Sequence, residues 1–149
     1  MPPPPAASSP APVRAAARRL VRGLAPGCAL DIPCGLGLFA ADLVALGFRV
    51  QGLDRDPAPA RAAGVEAVLG DMEAPLPFPA ASFDLAVCLE GIEHVEAQAP
   101  LLAELSRVLV PGGRLVLSTP NVLGRPSRRS LAREAYARFF RPRPPGSPQ

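Results

Sequence analysis

Apolar runs and amphipathic stretches alternate along this chain in the rhythm of strands followed by helices. Residues 13–24 (VRAAARRLVRGL) predict a short basic helix, stopped at Ala25-Pro26-Gly27. The run CALDI at 28–32 reads as a strand ending in a glycine-rich turn, and 36–46 as a helix with Phe39, Leu43 and Leu46 on one face. Gly47 terminates that helix. Strands at 48–53 and 65–69 close on Asp54 and on Gly70-Asp71, with a short helix at 58–63 between them. A proline-rich linker, 73–81, leads into a fourth strand at 83–89. Residues 99–109 form the clearest amphipathic helix. Pro100 suits its first turn, and Leu101, Leu102, Leu105, Val108 and Leu109 supply a buried face. Pro111-Gly112-Gly113 is expected to end it, followed by a strand at 114–119 and a last helix at 130–140.

Near-continuous apolar strands alternating with helices predict a parallel sheet covered on both faces. Right-handed crossovers then select an α/β, Rossmann-like doubly wound, mostly parallel sheet of five strands. No internal repeat is present.

Composition sharpens the boundaries. The 149 residues are 48% hydrophobic, enough for one cored domain. The 21 prolines concentrate at the two ends, so residues 1–12 and 141–149 are expected as disordered tails around a domain at 13–140. Cys28, Cys34 and Cys88 show no CxxC spacing and are expected as free thiols in a reducing cytoplasm. No apolar stretch approaches the length of a membrane span, and the N-terminus lacks the pattern of a signal peptide. The formal charge is +3, carried entirely by arginine on the basic side. From Arg125 to Arg143 arginines face the single acid Glu134, which suits either a solvated helix face or contact with an anionic or peripheral membrane surface.

The strand ends carry the chemistry. Ligands of such sheets bind outside the carboxyl ends of the strands. The first ends Asp31-Ile32-Pro33-Cys34-Gly35-Leu36-Gly37, and a glycine-rich turn alone is shared with dinucleotide enzymes. Asp31 discriminates: a carboxylate there repels a pyrophosphate but attracts the ammonium and sulfonium of S-adenosylmethionine. Asp54 ends the second strand, 19 positions after Gly35, at the distance suited to ribose hydroxyls. Gly70-Asp71-Met72 ends the third, with Asp71 able to accept from an adenine amino group and Met72 able to pack on the ring. Three successive strands ending in carboxylates suit one adenosine-plus-amino-acid ligand.

Taken in order, LDIPCGLG, VQGLD, GDMEAPLPFPAASFDLAVCLEGIEHV and LLAELSRVLVPGGRLVLSTPN resemble the class I S-adenosylmethionine-dependent methyltransferases of the small-molecule methyltransferase-domain group. The resemblance covers residues 28–121. It implies that Asp31, Gly35 and Gly37 hold the methionine moiety and that Pro33 and Cys34 of the same turn are cofactor contacts, with Pro33 standing where the family usually has glycine. It implies Asp54 at the ribose, Asp71 with Met72 at the adenine, Leu89 and Glu90 lining the cofactor, and Arg55 and Gly70 as further cofactor contacts. The family fold usually continues with an antiparallel hairpin beside strand five. No such segment is expected here, which leaves that strand to be covered by the last helix or by a partner subunit in a homodimer, unless the chain is a truncated copy.

Methyl transfer needs alignment more than activation, because the sulfonium is already reactive. His94, the single histidine, follows strand four and is the candidate general base; a structural role is the alternative. Glu90, Glu93 and His94 resemble the metal-binding cluster of ubiquinone-pathway and small-RNA 3′-end methyltransferases, but no fourth ligand is evident and no metal is expected. The acceptor expected is a small molecule, a sugar or a lipid-linked group. Nucleic acid is not expected, for want of a basic patch interleaved with aromatics. A non-catalytic adenosylmethionine-binding or partner-binding module is the alternative, and a nicotinamide-dependent reductase is disfavoured by Asp31.

Overall fold

A computed structural model of the chain describes residues 8–121. The expected helix at 130–140, the arginine-rich stretch 125–143 and the tail at 141–149 lie outside the described residues. Helix α1 (Ala11–Val21) precedes strand β1 (Cys28–Asp31), and α2 (Leu38–Ala45) precedes β2 (Arg49–Asp54). Helix α3 (Ala58–Ala62) and β3 (Ala67–Leu69) follow, then β4 (Phe83–Leu89), a one-turn 3-10 helix (Ile92–His94), α4 (Gln98–Val108) and β5 (Leu109–Ser118). The five strands lie in the order β3-β2-β1-β4-β5 and every pair is parallel. The chain winds outward from β1 to one edge, then crosses to β4 and the other. That reversal of strand order between β1 and β4 is where a doubly wound sheet opens a crevice.

Burial explains the layering. Leu30, Ile32, Ala86 and Cys88 face α4 and pack against its Leu101, Leu105 and Val108. On the opposite face Ala29, Leu85, Val87 and Leu89 pack against Ala17 and Val21 of α1 and Phe39 and Leu43 of α2. Leu102 stands apart: expected on the buried face, it is 40% exposed, because one residue past Leu101 turns it about 100° off the buried stripe. Both faces are covered, as near-continuous apolar strands require.

Two boundaries differ from the sequence pattern for identifiable reasons. Helix α4 passes straight into β5, since Leu109 is already extended (φ −77°, ψ 141°) and pairs with Phe83. Pro111-Gly112-Gly113 therefore lies within β5 instead of ending the helix. A step of two positions in β4 (Phe83 to Leu85) is matched by a step of five in β5 (Leu109 to Arg114), so the triplet bulges out. Proline and glycine are tolerated in strands at such edge irregularities. At the other end, α1 begins at Ala11, inside the segment expected as a tail.

Among the described residues no helix is long and apolar enough to cross a membrane. The three cysteines are free, Cys34 and Cys88 buried and Cys28 half-buried. Burial pushes the Cys34 thiol up to about 12 and that of Cys88 up to about 11, so both stay protonated.

Candidate functional site

A cavity of about 310 Å³ opens at the carboxyl ends of the strands, within the size range of small-molecule sites. Asp31 lies in its wall at the end of β1, 3% exposed, the only buried charged side chain among the described residues. Its carboxyl is pushed up to about 7, chiefly by loss of water; the Ala40 amide on the first turn of α2 opposes this, and the charge of Asp54 adds to it. No cationic side chain is paired with it among the described residues. A buried carboxyl facing a cavity without a counter-ion suits a ligand that brings its own positive charge.

The loop after β1 folds back over β2. Ile32 N–H donates to the Val87 carbonyl (2.9 Å) and Cys34 N–H to the Leu53 carbonyl (3.0 Å), bridging the crevice. This close approach requires Gly52, where an added Cβ would sit 2.9 Å from the Cys34 sulfur. Gly35 N–H donates to Asp54 Oδ2 (2.8 Å), and Asp56 N–H to Asp54 Oδ1 (3.0 Å). Both oxygens are thus fixed by amides, and each keeps lone-pair capacity for a further donor. Pro33, Cys34, Gly35 and Asp54 all line the cavity. Gly37 does not: it caps α2 in left-handed geometry (φ +74°), with a Cβ there meeting Val65 at 3.0 Å. Its glycine shapes the turn rather than the cavity surface.

At the end of β3, Gly70, Asp71 and Met72 line the cavity. Arg55 donates to both oxygens of Asp71 (2.9 and 2.7 Å) and to Glu73 (3.1 Å), while Glu73 N–H donates to Asp71 Oδ1 (2.9 Å). Arg55, expected as a cofactor contact, also lines the cavity and takes part in a half-exposed ion-pair network along its rim.

Beyond β4 the construction changes. Leu89, Glu90 and His94 line the cavity. Glu90 adopts left-handed backbone (φ +52°), a conformation costly for any residue but glycine and concentrated at functional sites. Ser118 at the end of β5 fixes it: the Glu90 N–H donates to Ser118 Oγ (3.0 Å), whose hydroxyl donates to Glu90 Oε1 (2.7 Å). His94 is exposed at the wall, its backbone N–H donating to the Gly91 carbonyl (3.0 Å). Burial raises the neighbouring Glu93 carboxyl, whose Oε2 is buried without a hydrogen-bond partner. Among the described residues no set of three or more His, Cys, Asp or Glu side chains is gathered as a metal site.

Sequence reasoning missed part of the wall. Ser8, Ser9 and Arg14 line the cavity from the proline-rich N-terminal stretch, and Leu38, Phe39, Leu53, Glu73 and Val95 fill between. The Ser9 hydroxyl reaches the Leu89 carbonyl (3.3 Å) across 80 positions, a contact that no local pattern announces.

A five-stranded parallel sheet reversing between β1 and β4, with a carboxylate at the end of each of its first three strands, defines a Rossmann-like fold of the S-adenosylmethionine-dependent type. Residues 30–117 match the family described as methyltransferase domain, and the chain belongs to that family, whose cofactor is S-adenosyl-L-methionine. A probable S-adenosylmethionine-dependent methyltransferase of Mycolicibacterium smegmatis is 42% identical over 110 residues, covering 70% of this chain and 42% of that protein. A ubiquinone biosynthesis O-methyltransferase of Nitrosococcus oceani is 34% identical over 101 residues, 62% of this chain and 43% of that one. Among solved structures, an S-adenosylmethionine-dependent methyltransferase from Mesorhizobium loti superposes with a TM-score of 0.64 at 33% identity, over 72% of this chain and 53% of that chain. The chain thus spans less than half the length of these curated relatives.

Proposed function

We propose that this chain binds S-adenosylmethionine at the cavity and transfers its methyl group to a small acceptor. The observation that carries the reading is Asp31, a buried carboxyl in the cavity wall with no cationic side chain beside it. The ammonium of the donor would take that position. The Asp54 oxygens, already oriented by two amides, would accept from the ribose hydroxyls. Asp71 and Met72, both in the cavity wall, would meet the adenine.

The bound donor supplies a methyl group on a positively charged sulfur, already activated towards a nucleophile. What remains for the protein is to align the acceptor with that methyl and exclude water. Glu90, locked by Ser118, and His94 form the wall beyond β4 from which an acceptor would be oriented. His94 is the candidate to accept the proton of an oxygen or nitrogen nucleophile. The ubiquinone-pathway relatives support a small acceptor methylated on oxygen. A lipid-linked or sugar acceptor is compatible with the same wall.

A second reading, a non-catalytic module that binds the donor or a partner, has one observation in its favour. β5 ends the strand order, and its Leu115 and Leu117 are each 38% exposed. Methyl-labelled donor and a panel of phenolic, amine and sugar acceptors separate the two. Turnover of any acceptor, reduced in His94→Ala, supports the enzyme; donor binding with no turnover across the panel supports the module.

A further inference from the structure

Glu73 joins three loops that lie far apart along the chain. Its Oε2 accepts from Arg55 of the loop after β2 (3.1 Å), and the same guanidinium reaches both oxygens of Asp71 (2.9 and 2.7 Å). Its Oε1 accepts from the Glu96 N–H (2.9 Å), 23 positions on and one residue past Val95. The Glu73 N–H donates to Asp71 Oδ1 as well (2.9 Å). Arg55 and Asp71 stand in the wall at the ends of β2 and β3, His94 and Val95 in the wall beyond β4. Glu73 is therefore a polar bridge between the two halves of the cavity.

The segment that Glu73 reaches has weak polar support of its own. Its single turn is closed by the His94 N–H to the Gly91 carbonyl (3.0 Å) and by a long bond from the Val95 N–H to the Ile92 carbonyl (3.4 Å). Gln98 Nε2 meets the Ile92 carbonyl at 3.5 Å. Further down, the linker after Glu73 is sewn to α4. The Leu76 N–H donates to Glu104 Oε2 (2.7 Å), and Arg107 donates to the carbonyls of Phe78 and Leu76 (2.9 and 3.1 Å). The linker that starts beside Asp71 and the helix that follows His94 are thus one assembly, held at its cavity end by Glu73.

We propose that Glu73 is a positioning residue, which passes occupancy of the donor site from Asp71 to residues 92–96 and so sets the wall against which the acceptor lies. This rests on the reading of the cavity as an S-adenosylmethionine site. Adenine held at Asp71 and Met72 restrains the turn that carries Glu73, and a restrained carboxylate restrains the Glu96 amide. Ion pairs at a solvent-facing rim are individually weak, so the coupling is modest. It is also reciprocal: an acceptor that settles the wall tightens the donor by the same factor.

Amide hydrogen exchange of the full chain, resolved by residue with and without saturating S-adenosylmethionine, reads this without an acceptor. In the wild type the donor should slow exchange at His94 and Val95 by about threefold to tenfold. In Glu73→Ala the Gly35 and Asp56 amides, both bonded to Asp54, should still slow and so report an occupied donor site, whereas His94 and Val95 should no longer respond. Glu73→Gln, which keeps an oxygen for Glu96 and loses the charge beside Arg55, should fall between. A merely structural Glu73 would speed exchange at His94 and Val95 equally with and without the donor and leave the slowing in place. That result overturns the proposal, as does a wild type in which Gly35 and Asp56 respond to the donor and His94 and Val95 do not. No response at any of the four amides, together with no binding by calorimetry, overturns instead the donor-site reading beneath it.

Discussion

The two halves of the cavity rim are held by different means. On the side of β1, β2 and β3 the carboxylates are held mainly by backbone: Asp54 by the amides of Gly35 and Asp56, Asp71 by that of Glu73 together with the Arg55 side chain, and Asp31 by burial beneath the first turn of α2. On the side of β4 and β5 the fixing is done by side chains, with Glu90 tied to the Ser118 hydroxyl and His94 exposed. Amides belong to the sheet and its turns and move only with them, so the first half presents an invariant set of acceptors. Side-chain ties change with single substitutions. On the function proposed above, the first half serves the methyl donor and the second the acceptor.

Substitutions that treat the halves separately test this division. The largest effect is expected from Asp31→Asn, which keeps the shape and removes the charge: S-adenosylmethionine affinity should fall by about 3–5 kcal/mol, the loss for breaking a buried charge pair. Calorimetry measures it, and a variant that binds as tightly as wild type would remove the electrostatic reason for the donor site.

The pH dependence of the ligand-free protein comes next. Asp31 rises from 3.8 to about 7 on folding, so the folded state holds a proton that the unfolded state releases between those values. Stability from this group is therefore full below about pH 4 and is lost as pH rises through about 7, on the order of 4 kcal/mol in total. Thermal melts between those limits should decline for wild type and flatten for Asp31→Asn; parallel curves would show that Asp31 ionises freely.

Asp54→Ala should weaken donor binding by about 1–3 kcal/mol, because it removes acceptors and frees the Gly35 and Asp56 amides at the same time. Smallest is Ser118→Ala on the other half. It should leave donor affinity unchanged and lower kcat/KM for the acceptor by severalfold, about 1 kcal/mol. A loss of donor affinity as large as that of Asp54→Ala would erase the distinction between the halves.

The first half was also the legible one. An acid at the end of an apolar run is visible as a local pattern, and Asp31, Asp54 and Asp71 all line the cavity. β4 runs over Phe83–Leu89 as its seven-residue pattern predicts, since a strand buried on both faces reads as one apolar stretch. What escaped depends on distance along the chain. Gly52 is needed because Cys34 crosses it and Ala67 of β3 lies beside it, and Ser9 meets Leu89 only once the sheet is wound. Proline-rich sequence at 1–12 has the composition of a tail, yet Ser8 and Ser9 lie in the cavity wall. Pro111-Gly112-Gly113 carries the signature of a helix stop, but pairing of Leu109 with Phe83 starts the strand first and displaces the triplet into a bulge.

The most direct test is calorimetric titration of the full chain with S-adenosylmethionine at neutral pH, in two buffers of different ionisation enthalpy. Binding accompanied by release of a fraction of a proton, and loss of that release in Asp31→Asn, is the expected result. No binding of S-adenosylmethionine, or binding with the same proton release in Asp31→Asn, would contradict a donor site built on this carboxylate.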